Sequence, residues 1–135
     1  MREYNIRLEE PEDWQEVENL TREAFWNVYR PGCLEHFVLN RYRSNPDFIP
    51  ELDFVMKSGG RIIGHVMYSK AELTSEDGDV LPAWTLGPIS IHPDWKREAS
   101  VCFARVRCAC IRGSARRASH GPAFYYGGVK QVRGR

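Results

Sequence analysis

Glu72 and His92 are the side chains of this sequence best placed to accept a proton near a distorted strand. The distortion is Gly87-Pro88, which interrupts the apolar run between Leu86 and Ile89. Proline gives a strand no N–H for its ladder, so this strand is predicted to be bulged or to lie beside a gap in the sheet. A carboxylate or an imidazole next to such a gap could act as a general base towards a ligand that fills it.

Basic side chains follow the same strand. The turn His92-Pro93-Asp94 ends the strand and leads towards a helix, and Lys96 and Arg97 come directly after it. Together with backbone N–H groups at a helix start they could contact an anion, which Glu98 would repel.

The stretch Leu86-Gly87-Pro88-Ile89-Ser90-Ile91-His92-Pro93-Asp94-Trp95-Lys96-Arg97 resembles the fourth strand and the start of the acyl-CoA loop of the GCN5-related N-acetyltransferase (GNAT) superfamily. The resemblance extends over about residues 4–97. It implies an α/β fold with a mixed, mainly antiparallel sheet flanked by helices on both faces. It also implies transfer of an acetyl group from acetyl-CoA to a small-molecule or protein amine.

The resemblance assigns tasks to particular residues. Ile89, Ser90 and Ile91 would lie along the pantetheine arm of acetyl-CoA, and Lys96 and Arg97 would lie near its pyrophosphate. A backbone N–H at Ile89 or a neighbour would polarise the thioester carbonyl. The alternative is that this segment is only a core strand.

Acetyl transfer to an amine also requires that the amine be neutral, so a base is expected. Glu72 and His92 are the first candidates, with Glu51 and Asp53 behind them. For each of these groups the alternative is an ordinary solvated side chain.

The glycine-rich half of the family's loop is missing. After Arg97 no glycine occurs before Gly113. Losing two or three charge-assisted hydrogen bonds to a pyrophosphate would cost about 3–5 kcal/mol, or roughly two to four decades in affinity. We therefore predict weak or absent acetyl-CoA binding.

The charge of the chain changes abruptly near Trp95. Residues 1–95 hold 9 Lys/Arg and 17 Asp/Glu, which gives −8, whereas residues 96–135 hold 10 and 1, which gives +9. This break suggests the hypothesis that the reading frame changes near codons 97–98. Residues 1–97 would then be the N-terminal part of a GNAT-like domain that is truncated at its C-terminus, and residues 98–135 an atypical basic segment. A non-catalytic, truncated remnant is the alternative function, and sequencing the gene tests the hypothesis.

Two other constellations lie in the basic segment. One consists of zinc-ligand types without a Cys-x-x-Cys pair, for which incidental cysteines are the preferred interpretation and no metal is predicted: Cys102, Cys108, Cys110 and His120. The other combines the arginine-rich tail with Phe124, Tyr125 and Tyr126, a pattern that could bind nucleic acid through phosphates. A basic tail that arises by accident of reading frame is the preferred interpretation.

Length and composition fit one globular domain. The chain has 135 residues, of which 42% are hydrophobic, and no apolar run approaches the ~20 residues of a membrane span. No secretory signal is visible and there are four cysteines, so we expect reduced thiols, a cytoplasmic location and no membrane partner.

Two helices are predicted before the main strands. The first follows a short strand at residues 5–8, is capped by Asp13 with Glu16, buries Trp14 among other apolar residues and ends before Pro31. The second covers residues 34–42. In the resemblance this region lies over the acceptor side of the cleft, so aromatic side chains here could line it or simply be core: Phe25, Trp26, Tyr29 and Phe37.

An antiparallel meander of three strands should follow. Residues 52–56 and 61–68 alternate as strands around Ser58-Gly59-Gly60, and a second turn at residues 75–78 leads to the strand through Leu86. Beyond Trp95, apolar residues from Val101 to Ala115 keep helical spacing, and residues 123–126 could form a last strand.

Overall fold

The computed structural model of the chain describes residues 3–97 and the strand at residues 123–126. Its helices and strands are, in order, β1 (Asn5–Leu8), α1 (Trp14–Phe25), α2 (Glu35–Tyr42), β2 (Phe54–Ser58), β3 (Arg61–Thr74), β4 (Val80–Ile91) and β5 (Ala123–Tyr126). The predicted order of one strand, two helices and three strands is confirmed, as is the short strand near the C-terminus.

The strands form one mixed sheet in the order β1-β2-β3-β4-β5, so each strand pairs with its neighbour in the chain. β1 to β4 are antiparallel, and β5 runs parallel to β4. This is the mixed, mainly antiparallel sheet that the sequence predicts. The glycines of the β2–β3 turn have positive φ, as the predicted tight hairpin requires.

Both described α-helices lie on one face of the sheet. Val17 and Leu20 of α1 and Leu39 of α2 are buried against Val55 and Met67 of the sheet. On the opposite face, buried Val66 and Tyr68 pack with partly buried apolar side chains, two of them from the segment just before β2 and the others from β1, β2 and β4: Ile49, Leu52, Ile6, Phe54, Trp84, Leu86 and Ile89.

Two details of the first helix differ from the prediction. Asp13 does not cap α1 with its side chain; instead it accepts hydrogen bonds from Arg7 and from the backbone N–H of Glu10. Trp14 does not face the sheet, because its ring lies under the guanidinium of Arg43 and remains 43% exposed. A charged residue directly after α2 therefore decides the orientation of this tryptophan.

Some predictions fall outside the described residues. These are the helix between Val101 and Ala115, the cysteine and histidine group between Cys102 and His120, and the atypical segment of residues 98–135 apart from β5. No helix in the described part of the chain is both long and apolar enough to cross a membrane.

Candidate functional site: the open edge of strand β4

The strand β4 is bulged where the sequence places proline. Tyr68 pairs with Leu86 and Val66 pairs with Ile89, so the single residue between them on β3 faces both Gly87 and Pro88. Gly87 has φ +140°, a backbone conformation that other residues rarely adopt. The predicted bulge is thus confirmed.

Beyond the bulge, one side of β4 has no strand beside it among the residues that the structure describes. β5 pairs with Ala83 to Leu86 only, and no described strand lies next to Ile89–Ile91 on that side. On the other side β3 continues to pair with the segment, through His65 opposite Ser90. We call Ile89–Ile91 the open segment.

The antiparallel ladder determines where the backbone groups of the open segment point. The N–H of His92 donates to the carbonyl of Ile63 at 2.9 Å, so this pair exchanges ladder hydrogen bonds and Ser90, two residues earlier, also directs its N–H and C=O towards β3. Because the direction alternates along a strand, the N–H and C=O groups of Ile89 and Ile91 point to the open side. A ligand in this position would meet a row of backbone donors and acceptors.

The side chains of the open segment point to opposite faces of the sheet. Ser90 is fully buried on the helix side, where its Oγ donates to Oγ1 of Thr21 on α1 at 2.8 Å. Ile89 and Ile91 belong to the two apolar clusters of the other face. Of the predicted binding residues, Ile89 and Ile91 therefore offer their backbone to the open side, while the hydroxyl of Ser90 binds the helix.

His92 follows the open segment directly, and its imidazole has several neighbours. Nδ1 accepts a hydrogen bond from the backbone N–H of Asp94 at 3.3 Å, and Nε2 lies 3.0 Å from Nη2 of Arg61 and 3.6 Å from a carboxylate oxygen of Glu23. The predicted basic residues come next in the chain, beyond the turn Pro93–Trp95, and the side chains of both Lys96 and Arg97 are exposed.

Glu72 lies at the other end of the β3–β4 hairpin. It is exposed and pairs with Pro82, eight residues before Ser90 on β4. Eight residues of extended strand span roughly 26 Å. The structure therefore does not bring Glu72 and His92 together.

The aromatic residues near the ends of the helices are mostly exposed. Trp26, Tyr29 and Phe37 each leave more than half of their surface accessible, and Phe25 packs against Tyr29 with 6.2 Å between ring centroids. Exposed aromatic rings can contact a ligand, whereas rings buried in the core could not.

A buried polar cluster that the sequence analysis did not assemble lies on the helix side of the sheet. Arg43 donates through Nε and Nη2 to the two carboxylate oxygens of Glu9, at 3.2 and 2.7 Å, and through Nη1 to Glu18 at 2.8 Å. Nε2 of His65 lies 2.7 Å from Oδ1 of Asp53 and 3.8 Å from Oε1 of Glu9. We call Glu9, Glu18, Arg43, Asp53 and His65 the buried polar cluster.

Burial sets the protonation states in this cluster. Desolvation raises the pKa of Glu9 to about 7, and the hydrogen bond with Asp53 acts in the same direction. Desolvation also raises the pKa of Asp53, whereas it lowers the pKa of His65 to about 4. His65 is therefore neutral at pH 7, and burial favours the protonated form of both carboxyl groups relative to their ordinary state.

Glu9, Asp53 and His65 offer three metal-ligand types within 4.8 Å of one another, but their contacts are those of a hydrogen-bonded network. Two ligands at ~2.0 Å from a tetrahedral zinc lie roughly 3.3 Å apart, which is wider than a hydrogen bond. The separation of 2.7 Å between His65 and Asp53 is a hydrogen-bond distance, and Arg43 occupies both oxygens of Glu9. Asp53, which the sequence suggested as a reserve base, is accordingly buried in this cluster.

Comparison with known proteins gives structural matches only. No protein-family model matches the sequence, and no curated protein matches it closely enough to establish a relationship. A GNAT family acetyltransferase from Brucella melitensis in complex with acetyl-CoA superposes with a TM-score of 0.60 at 24% identity, covering 81% of this chain and 71% of that one.

Two further structures have different amine acceptors in their names. A ribosomal-protein alanine N-acetyltransferase from Escherichia coli has a TM-score of 0.56 at 14% identity, with 85% of this chain and 61% of that one covered. An aminoglycoside 6'-N-acetyltransferase from Acinetobacter baumannii has a TM-score of 0.58 at 11% identity, with 93% and 80% covered.

These similarities agree with the sheet described above. The superpositions include the sheet and its helices and extend over most of the chain. The fold of this chain is that of the GNAT acetyltransferases.

Proposed function

We propose that this chain binds acetyl-CoA along the open side of β4 and transfers the acetyl group to an amine. The observation that carries the proposal is the open segment, where the backbone groups of Ile89 and Ile91 point away from β3 and no described strand pairs with them. An extended pantetheine arm has amide groups that can pair with such an edge as an added strand does. The acetyl-CoA complex of the similar Brucella melitensis enzyme supports the choice of cosubstrate.

The backbone N–H groups of Ile89 and Ile91 are the proposed donors to the thioester carbonyl. Backbone donors fixed by a sheet need no reorganisation when negative charge develops on that oxygen, which is the requirement for stabilising it. Lys96 and Arg97 lie beyond the turn after β4 and are the proposed contacts for the pyrophosphate.

His92 is the proposed acceptor of the amine proton. It lies one residue beyond the open segment, whereas Glu72 is separated from Ser90 by eight residues of strand. Glu72 is too far from the open segment to accept a proton from an amine that is already at the thioester. We therefore propose only that its carboxylate contacts the acceptor amine while the amine approaches the site. A neutral imidazole has a ring nitrogen that can accept such a proton.

A positively charged amine is the proposed acceptor class, as a small molecule or on a protein. Residues 3–97 hold 10 Lys/Arg and 17 Asp/Glu, a balance of −7 that attracts cations. The exposed rings of Trp26, Tyr29 and Phe37 add surfaces on which an ammonium group can lie. The similar enzymes named for aminoglycoside and protein alanine acceptors are compatible with either form of this class.

The proposal is tested by incubating the full chain with millimolar acetyl-CoA and three amines: an aminoglycoside, a peptide with a free N-terminal alanine and a lysine peptide. Mass spectrometry should find one of them heavier by an acetyl group, at a rate that His92→Gln reduces. Lys70→Gln is the matched control, because Lys70 is exposed and lies opposite Trp84, six residues before Ser90 on β4. Acetylation of none of the amines above the rate without protein would favour a non-catalytic, truncated remnant.

A further inference from the structure

In the described sheet the open segment has fewer paired neighbours than Ala83–Leu86 of the same strand, which pair with both β3 and β5. Within the described chain it pairs with β3 alone, and it starts immediately after the bulge at Gly87-Pro88. Segments with few hydrogen-bonded neighbours open locally at low cost in free energy. A further contact is needed if Ile89–Ile91 is to present its backbone at a constant position.

Ser90 provides such a contact on the helix side. Its Oγ and the Oγ1 of Thr21 are 2.8 Å apart, and both residues are fully buried. Thr21 lies in the middle of α1, which also carries the core residues Val17 and Leu20. The hydrogen bond therefore connects the open segment to a helix that is itself anchored in the core.

The polar pair formed by Ser90 and Thr21 constrains the pairing of β4 in a way that two apolar side chains would not. A buried hydroxyl without a partner is unfavourable, so Ser90 and Thr21 each depend on the other. Because side chains alternate along a strand, a slip of β4 by one residue would place Ile89 or Ile91 beneath α1 and break the hydrogen bond that Ser90 donates to Thr21. The hydroxyl pair thus specifies the register of the open segment and its distance from α1.

We propose that Thr21 and Ser90 are positioning residues, whose hydrogen bond clamps the open segment of β4 to α1 and keeps the N–H groups of Ile89 and Ile91 directed to the open side. The clamp rests on the fold alone. Its effect on the affinity for acetyl-CoA rests on the proposed function.

The first experiment measures amide hydrogen exchange by NMR in the full chain. The variants are Ser90→Ala and Thr21→Val, which remove the hydrogen bond, and Thr21→Ser, which keeps a hydroxyl. The control is Ser69→Ala on the neighbouring strand β3, which removes a buried hydroxyl that has no hydrogen-bond partner. Exchange is followed at the N–H of His92, which donates to Ile63, and at the N–H of Val55 in the strand that is paired on both sides.

The clamp predicts about five- to tenfold faster exchange at His92 in Ser90→Ala and Thr21→Val, with a smaller change at Val55. Thr21→Ser should restore the protection at His92, and Ser69→Ala should leave it unchanged. Equal acceleration at both amides would show a general loss of stability and overturn the clamp. Unchanged exchange at His92 would overturn it too.

A second experiment measures acetyl-CoA binding to the same variants by calorimetry. Ser90→Ala and Thr21→Val should weaken binding by about five- to tenfold relative to Thr21→Ser and Ser69→Ala. Equal affinity in all variants, with faster exchange at His92, would overturn the positioning role for the ligand. If the unaltered chain gives no response to acetyl-CoA, the proposed function fails, and the exchange result still decides whether the clamp exists.

Discussion

Nε2 of His65 lies 2.7 Å from Oδ1 of Asp53, and the two side chains are only 0% and 5% exposed. The same imidazole lies 3.8 Å from Glu9, whose carboxyl group Arg43 binds through two nitrogens. Glu9 and His65 thus titrate within one buried network. As the pH rises, the titration of Glu9 lowers the stability of the fold and the titration of His65 raises it.

Replacing Glu9 by Gln should reveal the titration of His65. In the fold the pKa of His65 is lowered from 6.5 to about 4, so its contribution to stability is present above pH 6.5 and is lost as the pH falls through 4. Asp53 also has a raised pKa and is present in both proteins, so the comparison is with the unaltered chain. Between pH 4 and pH 6.5 the free energy of unfolding of Glu9→Gln should rise more steeply with pH than that of the unaltered chain, by up to about 3 kcal/mol over the range. Urea unfolding in steps of pH measures both slopes, and equal slopes would contradict the assignment.

Replacing His65 by Gln should reveal the opposite slope. The pKa of Glu9 is raised from 4.5 to about 7, so its contribution is present below pH 4.5 and is lost as the pH rises through 7. In His65→Gln the amide can still donate to Asp53, while stability should fall across this range by up to about 3 kcal/mol. In the unaltered chain the two slopes offset each other between pH 4.5 and pH 6.5. A variant profile that rises with pH would refute this assignment.

Replacing Arg43 by Met should destabilise the fold strongly. Arg43 is the cation between Glu9 and Glu18, its side chain is 5% exposed, and its guanidinium lies over the ring of Trp14. Removing one partner of a buried ion pair costs about 3–5 kcal/mol because the remaining charge is uncompensated. Arg41→Met is the matched control two residues earlier, in the last turn of α2, since Arg41 is exposed and its replacement should cost less than about 1 kcal/mol. Equal losses in chemical denaturation would argue against the role of Arg43.

Replacing Gly87 by Ala should weaken acetyl-CoA binding. Gly87 forms the bulge with φ +140°, so alanine there must either strain the backbone or change the geometry before the open segment. Gly78→Ala is the control, because Gly78 also has a positive φ, +86°, but lies in the turn at the far end of β4. Both variants should lose about 1–2 kcal/mol of stability. Only Gly87→Ala should lose the shift in melting temperature that acetyl-CoA causes, and a similar loss in Gly78→Ala would contradict the site.

The sequence predicts the order of strands and helices and the open segment well, because these depend on local patterns. Pro88 alone indicates a bulge, since it lacks an N–H wherever it occurs in a strand. Its structural consequence is found where the pattern places it, since no strand in the described part of the chain pairs with Ile89–Ile91 on the side away from β3.

The buried polar cluster could not be predicted in the same way. Glu9 follows β1, Asp53 precedes β2 and Arg43 follows α2, so their meeting depends on the antiparallel pairing of β1 with β2 and on the packing of α2. The direction of Ser90 could have been read from its alternation with two isoleucines, but its partner Thr21 is 69 residues away in the chain. The orientation of Trp14 likewise depends on Arg43, which is 29 residues away in the chain.

The most direct test of the central claim is an NMR titration of the full chain with acetyl-CoA that follows the amides of Ile89 and Ile91. The account predicts selective, saturable shifts at these two amides and at their neighbours, with a dissociation constant of about 0.1 mM or weaker, because the glycine loop is missing. A tight, micromolar constant would contradict the predicted loss of affinity. Saturable binding without shifts at Ile89 and Ile91, or no shifts at millimolar acetyl-CoA, would contradict the assignment of the open segment as the acyl-binding edge.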